Sequence, residues 1–499
     1  MRVKGPPIKP IKPIKPINPI PPAKPIPPII LKYFPVSDTL LQEILSTALS
    51  TGGSYSDIYF EHSLVGSLVT QDESVNRAVL NEDYGAGIRV VDGERTGYAF
   101  TEVLSPDKLH QAARTAAAIC ARGAAAPVAA VGSSGCTQPA PFYGARLPWS
   151  QVDPSATLIP WMKTLREKTL ALEPRVSALQ ISISWRTQRI ALVNSLGDSM
   201  EEERPMAAIS VNAVIREGSR TEMATASHSL RQGIEILTGS LQDELAGKLI
   251  DKLRFALTAV QPHGGVMPVV MAAGASGILL HEAIGHAFEA DFNRRGESIF
   301  SDRMGQQICD ADISVVDDGT VPSARGSIHW DDEGVPSQNT FIVRNGRLES
   351  YLHDRISAAH YGVAPTGNGR RESFRTMPLP RMRNTYMLGS SATEADLIAS
   401  VPNGIYVRDF SNGQVQIGAG DFTFFVKSGY LIENGHLTQP VKDINIIGNG
   451  PQALADIHGV ADNLVIDNGT WICGKAGQSV AVTCGMPSVL VSGLNVGGI

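Results

Sequence analysis

Apolar and polar positions alternate with two different periods along the chain, and the periods mark out its elements. Leu40, Leu41, Ile44, Leu45, Ala48 and Leu49 keep helical spacing behind Ser37, and Gly52-Gly53 stop that helix. Short strands follow at "DIYFE" (57–61) and "SLVT" (67–70), then "GIRVVDGERTGYAF" with a hairpin signal at Asp92-Gly93. "SPDKLHQAARTAAAICA" opens on Ser105 as a cap with Pro106 in the first turn, which predicts a second helix. A third is expected over 153–172, followed by strands "LQISISW" and "AAISVNAVI" and a polar helix in "GIEILTGSLQDELAGKLIDKLRFAL". The stretch 123–150, rich in Ala, Gly, Ser and Pro, reads as a long loop.

Near residue 260, at "TAVQPHGG", the pattern changes. "VMPVVMAAG" reads as a buried strand feeding a helix that begins "GILLHEAIGHAFEADF" (277–292). Beyond it β signals dominate, including hairpins at Asn345-Gly346 and Asn434-Gly435. The expected fold class is α+β: an N-terminal domain of mixed helices and strands over 36–260, then a mainly antiparallel β domain over 261–499 that carries the helix. Residues 1–35 stand outside both. Their Ile-Lys-Pro repeat, with 12 of the chain's 32 prolines, favours polyproline II and reads as a solvated arm.

Composition narrows the class. A chain of 499 residues that is 43% hydrophobic and 18% charged is globular, with a sizeable core. With 43 basic and 49 acidic residues it has no footprint for nucleic acid or an anionic membrane. No apolar run approaches the roughly 18–20 residues of a membrane span, and the basic start runs into prolines rather than a signal peptide. Cys120, Cys136, Cys309, Cys473 and Cys484 are few and lack C-x-x-C spacing, which suits free thiols in the cytoplasm.

The chemistry centres on "HEAIGH" (281–286), one residue longer than the H-E-x-x-H of zinc proteases. On a regular helix, residues four apart lie within about 40° of each other, whereas five apart diverge by about 140°. A π-turn restores His281 and His286 to one face, and Gly285 eases such a backbone. The motif therefore predicts a distorted helix rather than excluding a metal. Glu282 adjoins the first histidine, where it could deprotonate a metal-bound water. Catalytic zinc needs a third protein ligand. Glu289, Asp291, His436, His458, Cys473 and Cys484 are the candidates, and spacing does not choose among them. His228, His329 and His353 lie outside ligand spacing. "DDGTVP" and "DDEGVP" lack the spacing of a calcium loop and read as turns with capping carboxylates.

The surroundings of the motif carry a resemblance. "GILLHEAIGHAFEADFNRRG", "DDGTVPSARGSIHWDDEGVPSQNT", "GNGRRESFRTMPLPRMRNTYML", "GQVQIGAGDFTFFVKSGYLIENGHLTQPVKDINIIGNG" and "CGKAGQSV" resemble the TldD/PmbA family of metalloproteases, in its TldD branch. The likeness covers nearly all of 260–499 and weakens back to about residue 37; the proline-rich arm is outside it. It implies one zinc per chain held by His281, His286 and Cys473, with Glu282 as catalytic base. It implies hydrolysis of small or unfolded polypeptides bound in extended form, in a homodimer or in a heterodimer with a motif-lacking paralogue. Arg370 and Arg371, in "GNGRRESFR", are candidates to bind substrate carbonyls or a carboxylate, with structural ion pairs as the alternative. Two other functions share these residues: a non-catalytic, metal-stabilised peptide-binding subunit, and a zinc hydrolase of another amide bond.

Overall fold

The computed structural model describes residue 34 and residues 36–498, apart from 121–123, 133–140, 152, 275, 417 and 418. The expectations for the proline-rich arm and for Cys136 lie outside the described residues. The N-terminal part repeats one pattern twice. Helix α1 (Asp38–Ala48) leads into strands β1 (Tyr55–Gln71), β2 (Ser74–Asp92) and β3 (Arg95–Thr101), then helix α2 (Pro106–Cys120). Helix α3 (Pro154–Leu172) leads likewise into β4 (Val176–Asn194), β5 (Ser199–Glu217) and β6 (Arg220–Leu230), then α4 (Gly239–Thr258). The six strands form one antiparallel sheet in the order β3-β2-β1-β4-β5-β6, so the two halves meet where β1 pairs β4.

Side-chain alternation gives that sheet two different faces. Ile58, Phe60, Ala191 and Val193 pack under α1 and α2. Leu68, Ile181, Ile183 and Trp185 keep the same parity and pack under α3 and α4. The opposite parity, Tyr59, Ile190 and Leu192, meets Trp330 and Phe374 from the second half of the chain. The strands "DIYFE" and "SLVT" are one strand of 17 residues, β1. Gly66 does not end it: a Cβ there would come within 2.0 Å of the Trp185 ring across the strand pair, so glycine makes room for the indole. Strand β2 runs on through an exposed polar stretch that alternation alone does not reveal.

The C-terminal part begins with β7 (Gly265–Met271) and the motif helix, an α-turn at Gly277–Leu279, a π-turn at Leu280–Gly285 and a 3-10 turn at His286–Phe288. Strands β8 (Val315–Asp318), β9 (Asn339–Arg344), β10 (Arg347–Leu348), β11 (Gly369–Arg370), β12 (Leu379–Pro380) and β13 (Asn384–Met387) come next. After them lie β14 (Asn403–Val415), β15 (Asp421–Glu433), β16 (His436–Val441), β17 (Ile444–Asn449), β18 (Ile457–Val460) and β19 (Val465–Asp467). The last are β20 (Ile472–Lys475), β21 (Gln478–Ala481), β22 (Thr483–Met486) and β23 (Val489–Gly498).

One sheet closes on itself, β14 to β7 to β23 to β17 to β15 and back to β14. A second runs β10-β9-β8-β13-β22-β19. The expected antiparallel character holds except where β14 meets β7 and β13 meets β22, both parallel. Between the two sheets lies one apolar core, to which the motif helix contributes Ile278, Leu279, Leu280, Ile284 and Phe288. That packing sets the helix with its histidines facing away from the core's apolar side chains.

Candidate metal centre

The π-turn expected from the six-residue motif is present at Leu280–Gly285, and it brings the two histidines together. Their rings are 5.2 Å apart between centroids and nearly perpendicular. Gly285 has ordinary helical dihedrals, φ −59° and ψ −47°, so backbone ease is not what the turn takes from it; it leaves room, because a Cβ there would lie 2.4 Å from Met382 Sδ. The third group arrives from the other end of the chain. Strands β20 and β21 form a hairpin through Ala476 and Gly477, both at positive φ, and Cys473 sits on its first strand. Its Sγ lies 3.4 Å from His286 Nε2. One ligating atom from each of His281, His286 and Cys473 falls within 4.8 Å of the others, and all three residues are buried.

Electrostatics prepares the cluster for a cation. Burial alone would raise the Cys473 thiol, but the imidazoles of His281 and His286 outweigh it and hold the thiol well below its ordinary value. Both ring nitrogens of His281 are buried without a hydrogen-bond partner. Buried polar groups are ordinarily satisfied, so these nitrogens mark a place for a ligand. A tetrahedral zinc site with sulfur at about 2.3 Å and nitrogen at about 2.0–2.1 Å spaces those atoms by about 3.5 Å, which the Cys473–His286 distance matches. Imidazole nitrogen and cysteine thiolate are both ordinary zinc ligands. On both counts the residues fit the ion.

Around the cluster a second ring of groups holds the ligands in place. His286 Nδ1 lies 2.9 Å from Glu289 Oε2, which also accepts from Lys475 Nζ at 2.9 Å. Lys475 donates further to Asp291 Oδ1 and the Pro380 carbonyl. Burial opposes ionisation of Glu289, but Lys475 and His286 overcome it and lower the carboxyl to about 2. Glu289 and Asp291, two of the candidate third ligands, are thus engaged by His286 Nδ1 and Lys475 and do not join the cluster. Arg381 Nη2 donates to the Cys473 carbonyl at 2.5 Å and fixes the hairpin. Cys484, on β22, is buried; burial first, then Asp467 and Glu282, push its thiol well above the ordinary value. His436 and His458 are exposed on other strands. Glu282 follows His281 in the π-turn and is half-buried, and no hydrogen bond or ion pair occupies its carboxylate among the described residues.

The description "PmbA/TldA metallopeptidase C-terminal domain" matches residues 264–498, "domain 1" matches 56–120 and the "central domain" matches 150–254. The chain is 36% identical over 449 residues to a "Metalloprotease TldD homolog" of Haemophilus influenzae, covering 89% of this chain and 93% of that protein. The chain belongs to the PmbA/TldD metallopeptidase family. A "Zinc metalloprotease TldD homolog" of Saccharolobus solfataricus is 33% identical over 292 residues, 58% of this chain and 65% of that protein. The crystal structure of TldE from Thermococcus kodakarensis shares the fold, with a TM-score of 0.69 at 17% identity over 92% of this chain and 100% of that one.

Arg370 and Arg371, the candidate substrate-binding residues, lie in different surroundings. Arg370 donates to the carbonyls of Met382 and Ala481, at 2.5 and 2.8 Å. Arg371 donates to the Asp332 carbonyl at 2.8 Å, lies 3.7 Å from Asp57 and stacks on Tyr59. Both are buried; Arg371 takes the ion-pair alternative raised above, whereas Arg370 meets only backbone carbonyls among the described residues. The turns "DDGTVP" and "DDEGVP" do use their carboxylates as caps and ties: Asp318 accepts from Thr320, and Asp331 from the amides of Glu333 and Val335. Sequence reasoning missed Lys475 and Arg381 as supports of the centre. The signal was there for Lys475, which follows Cys473 by two residues and so shares its side of a strand.

Proposed function

We propose that this chain is a zinc-dependent peptidase that hydrolyses peptide bonds of small or unfolded polypeptides held in extended form. The observation that carries the reading is the convergence of His281, His286 and Cys473, with Glu282 next to His281 in the same π-turn and its carboxylate unengaged among the described residues. His281, His286 and Cys473 would hold the ion. When bound, zinc supplies Lewis acidity, which polarises a carbonyl and acidifies water. Glu282 accepts the proton of the attacking water and returns it to the departing amine. Glu289 orients the His286 ring through Nδ1, and Arg381 holds the Cys473 strand, so the donor atoms stay fixed while the proton moves.

An extended substrate suits a β-rich domain, because added strand pairing gives affinity without side-chain readout. The reading includes a cytoplasmic dimer, of this chain with itself or with a motif-lacking companion, which rests on the motif resemblance. No helix among the described residues is long and apolar enough to cross a membrane.

Glu282→Gln tests the proposal. The variant should keep its zinc, measured by atomic emission, and lose hydrolysis of a dye-quenched unfolded polypeptide by a factor of at least about 100. Retained hydrolysis with zinc in place would remove Glu282 from the mechanism.

A further inference from the structure

Near the metal centre, three buried arginines find no carboxylate among the described residues. Arg231, Arg325 and Arg370 are 5%, 7% and 4% exposed. Arg231 Nε has no hydrogen-bond partner, and its guanidinium rests 5.3 Å from the centroid of the Tyr143 ring. Arg325 donates only to neutral acceptors, Ser229 Oγ at 2.5 Å and the Trp471 carbonyl at 3.3 Å. Arg370 likewise donates to the carbonyls of Met382 and Ala481.

The nearby carboxylates are already engaged. Glu202 bonds Arg204, His329 and Tyr143; Asp332 bonds Arg204 and the Arg371 amide. A buried charge without a counterion is costly. The guanidiniums register that cost: burial, reinforced by neighbouring arginines, lowers Arg231 and Arg370 to about 9 and Arg325 to about 10.

The three groups are also placed together, and placed next to the zinc ligands. The Arg231 amide donates to the Ser323 carbonyl at 2.7 Å, two residues before Arg325. Arg325 in turn bonds Ser229, two residues before Arg231. Trp471 and Ala481, the acceptors of Arg325 and Arg370, sit at the base of the hairpin that carries Cys473, where Ile472 pairs Ala481. Trp471 precedes Cys473 by two residues, about 7 Å of extended chain. The position lies where the two halves of the chain meet, a usual place for ligand sites.

We propose that Arg231, Arg325 and Arg370 form a carboxylate-binding subsite that takes a carboxylate of the bound peptide, from its C-terminus or from an acidic side chain. The subsite rests on the peptidase reading and specifies it. A carboxylate anchored there sets the reacting bond about two residues away along an extended substrate. Neutral peptides would lack the anchor.

The test is a binding measurement on the zinc-loaded full chain carrying Glu282→Gln. Three N-terminally dye-labelled hexapeptides are titrated by fluorescence anisotropy: a neutral free acid, the same peptide as its C-terminal amide, and an amide with one glutamate side chain. The free acid, the glutamate peptide or both should bind at least about tenfold more tightly than the neutral amide. Which of the two is favoured identifies the source of the carboxylate. Adding Arg231→Gln should abolish the difference. Equal affinities for all three peptides, absence of binding, or a preference that survives Arg231→Gln would overturn the subsite. The acid-to-amide comparison needs no change at the arginines, so misfolding of that variant cannot hide the answer. Because hydrolysis is not read, failure here leaves the Glu282 test standing, and failure of that test leaves an acid preference measurable.

Discussion

At His286 one imidazole is gripped from both sides, by Cys473 at Nε2 and by Glu289 at Nδ1. The second contact decides which nitrogen is free to bind a metal, because a ring that donates from Nδ1 presents the lone pair of Nε2. Glu289 accepts most strongly while ionised, and Lys475 keeps it so. Glu289→Gln should therefore weaken zinc binding roughly 10–100-fold in a chelator-competition titration. An unchanged affinity would show that the ring is oriented by packing alone. The sequence made Glu289 visible as a polar neighbour three residues after His286, but only as one candidate ligand among several. Its role depends on Lys475, 186 residues further on. No local pattern encodes such a partner.

Elements were legible where their signal is local. The helices at Asp38–Ala48 and Pro154–Leu172, the Asn-Gly hairpins and the π-turn all follow from local sequence. Asn345 and Asn434 adopt the positive φ that such turns require. The Cys473 hairpin escaped notice because Ala476 takes that conformation, with φ of 51°, where asparagine or aspartate is the usual signal. Strand β1 was split in two because burial on both faces removes alternation, and because Gly66 reads as a break until Trp185 is seen across from it. The π-turn itself yields a prediction. Gly285→Ala places a methyl on Met382 Sδ and should destabilise the protein by about 1–3 kcal/mol, seen as a lower thermal midpoint. Pairing it with Met382→Ala should recover part of that loss relative to Met382→Ala alone, as expected for residues in contact. A midpoint unmoved by Gly285→Ala would mean that the helix relaxes without resistance there.

Across the whole molecule, the site depends on contacts that span the chain. The helix-covered sheet turns its other face to the C-terminal half, where Arg89 joins Asp57 of β1 to Glu333, 244 residues beyond it. Phe374 donates its amide to Glu61 at 3.0 Å, and Tyr98 donates to the Phe374 carbonyl. These ties position the segment 369–383, whose Arg370 and Arg381 brace the Cys473 hairpin. Pairings at such range leave no periodic trace, so the sequence disclosed the candidate ligands through motif resemblance and not the frame that assembles them.

The claim on which the account turns is that His281, His286 and Cys473 hold one zinc ion together. Zinc-edge X-ray absorption on the purified full chain tests it most directly. The account predicts one zinc per chain with a first shell of two imidazole nitrogens, one sulfur at about 2.3 Å and a light atom. A chain without stoichiometric zinc, or a shell containing no sulfur, would contradict it.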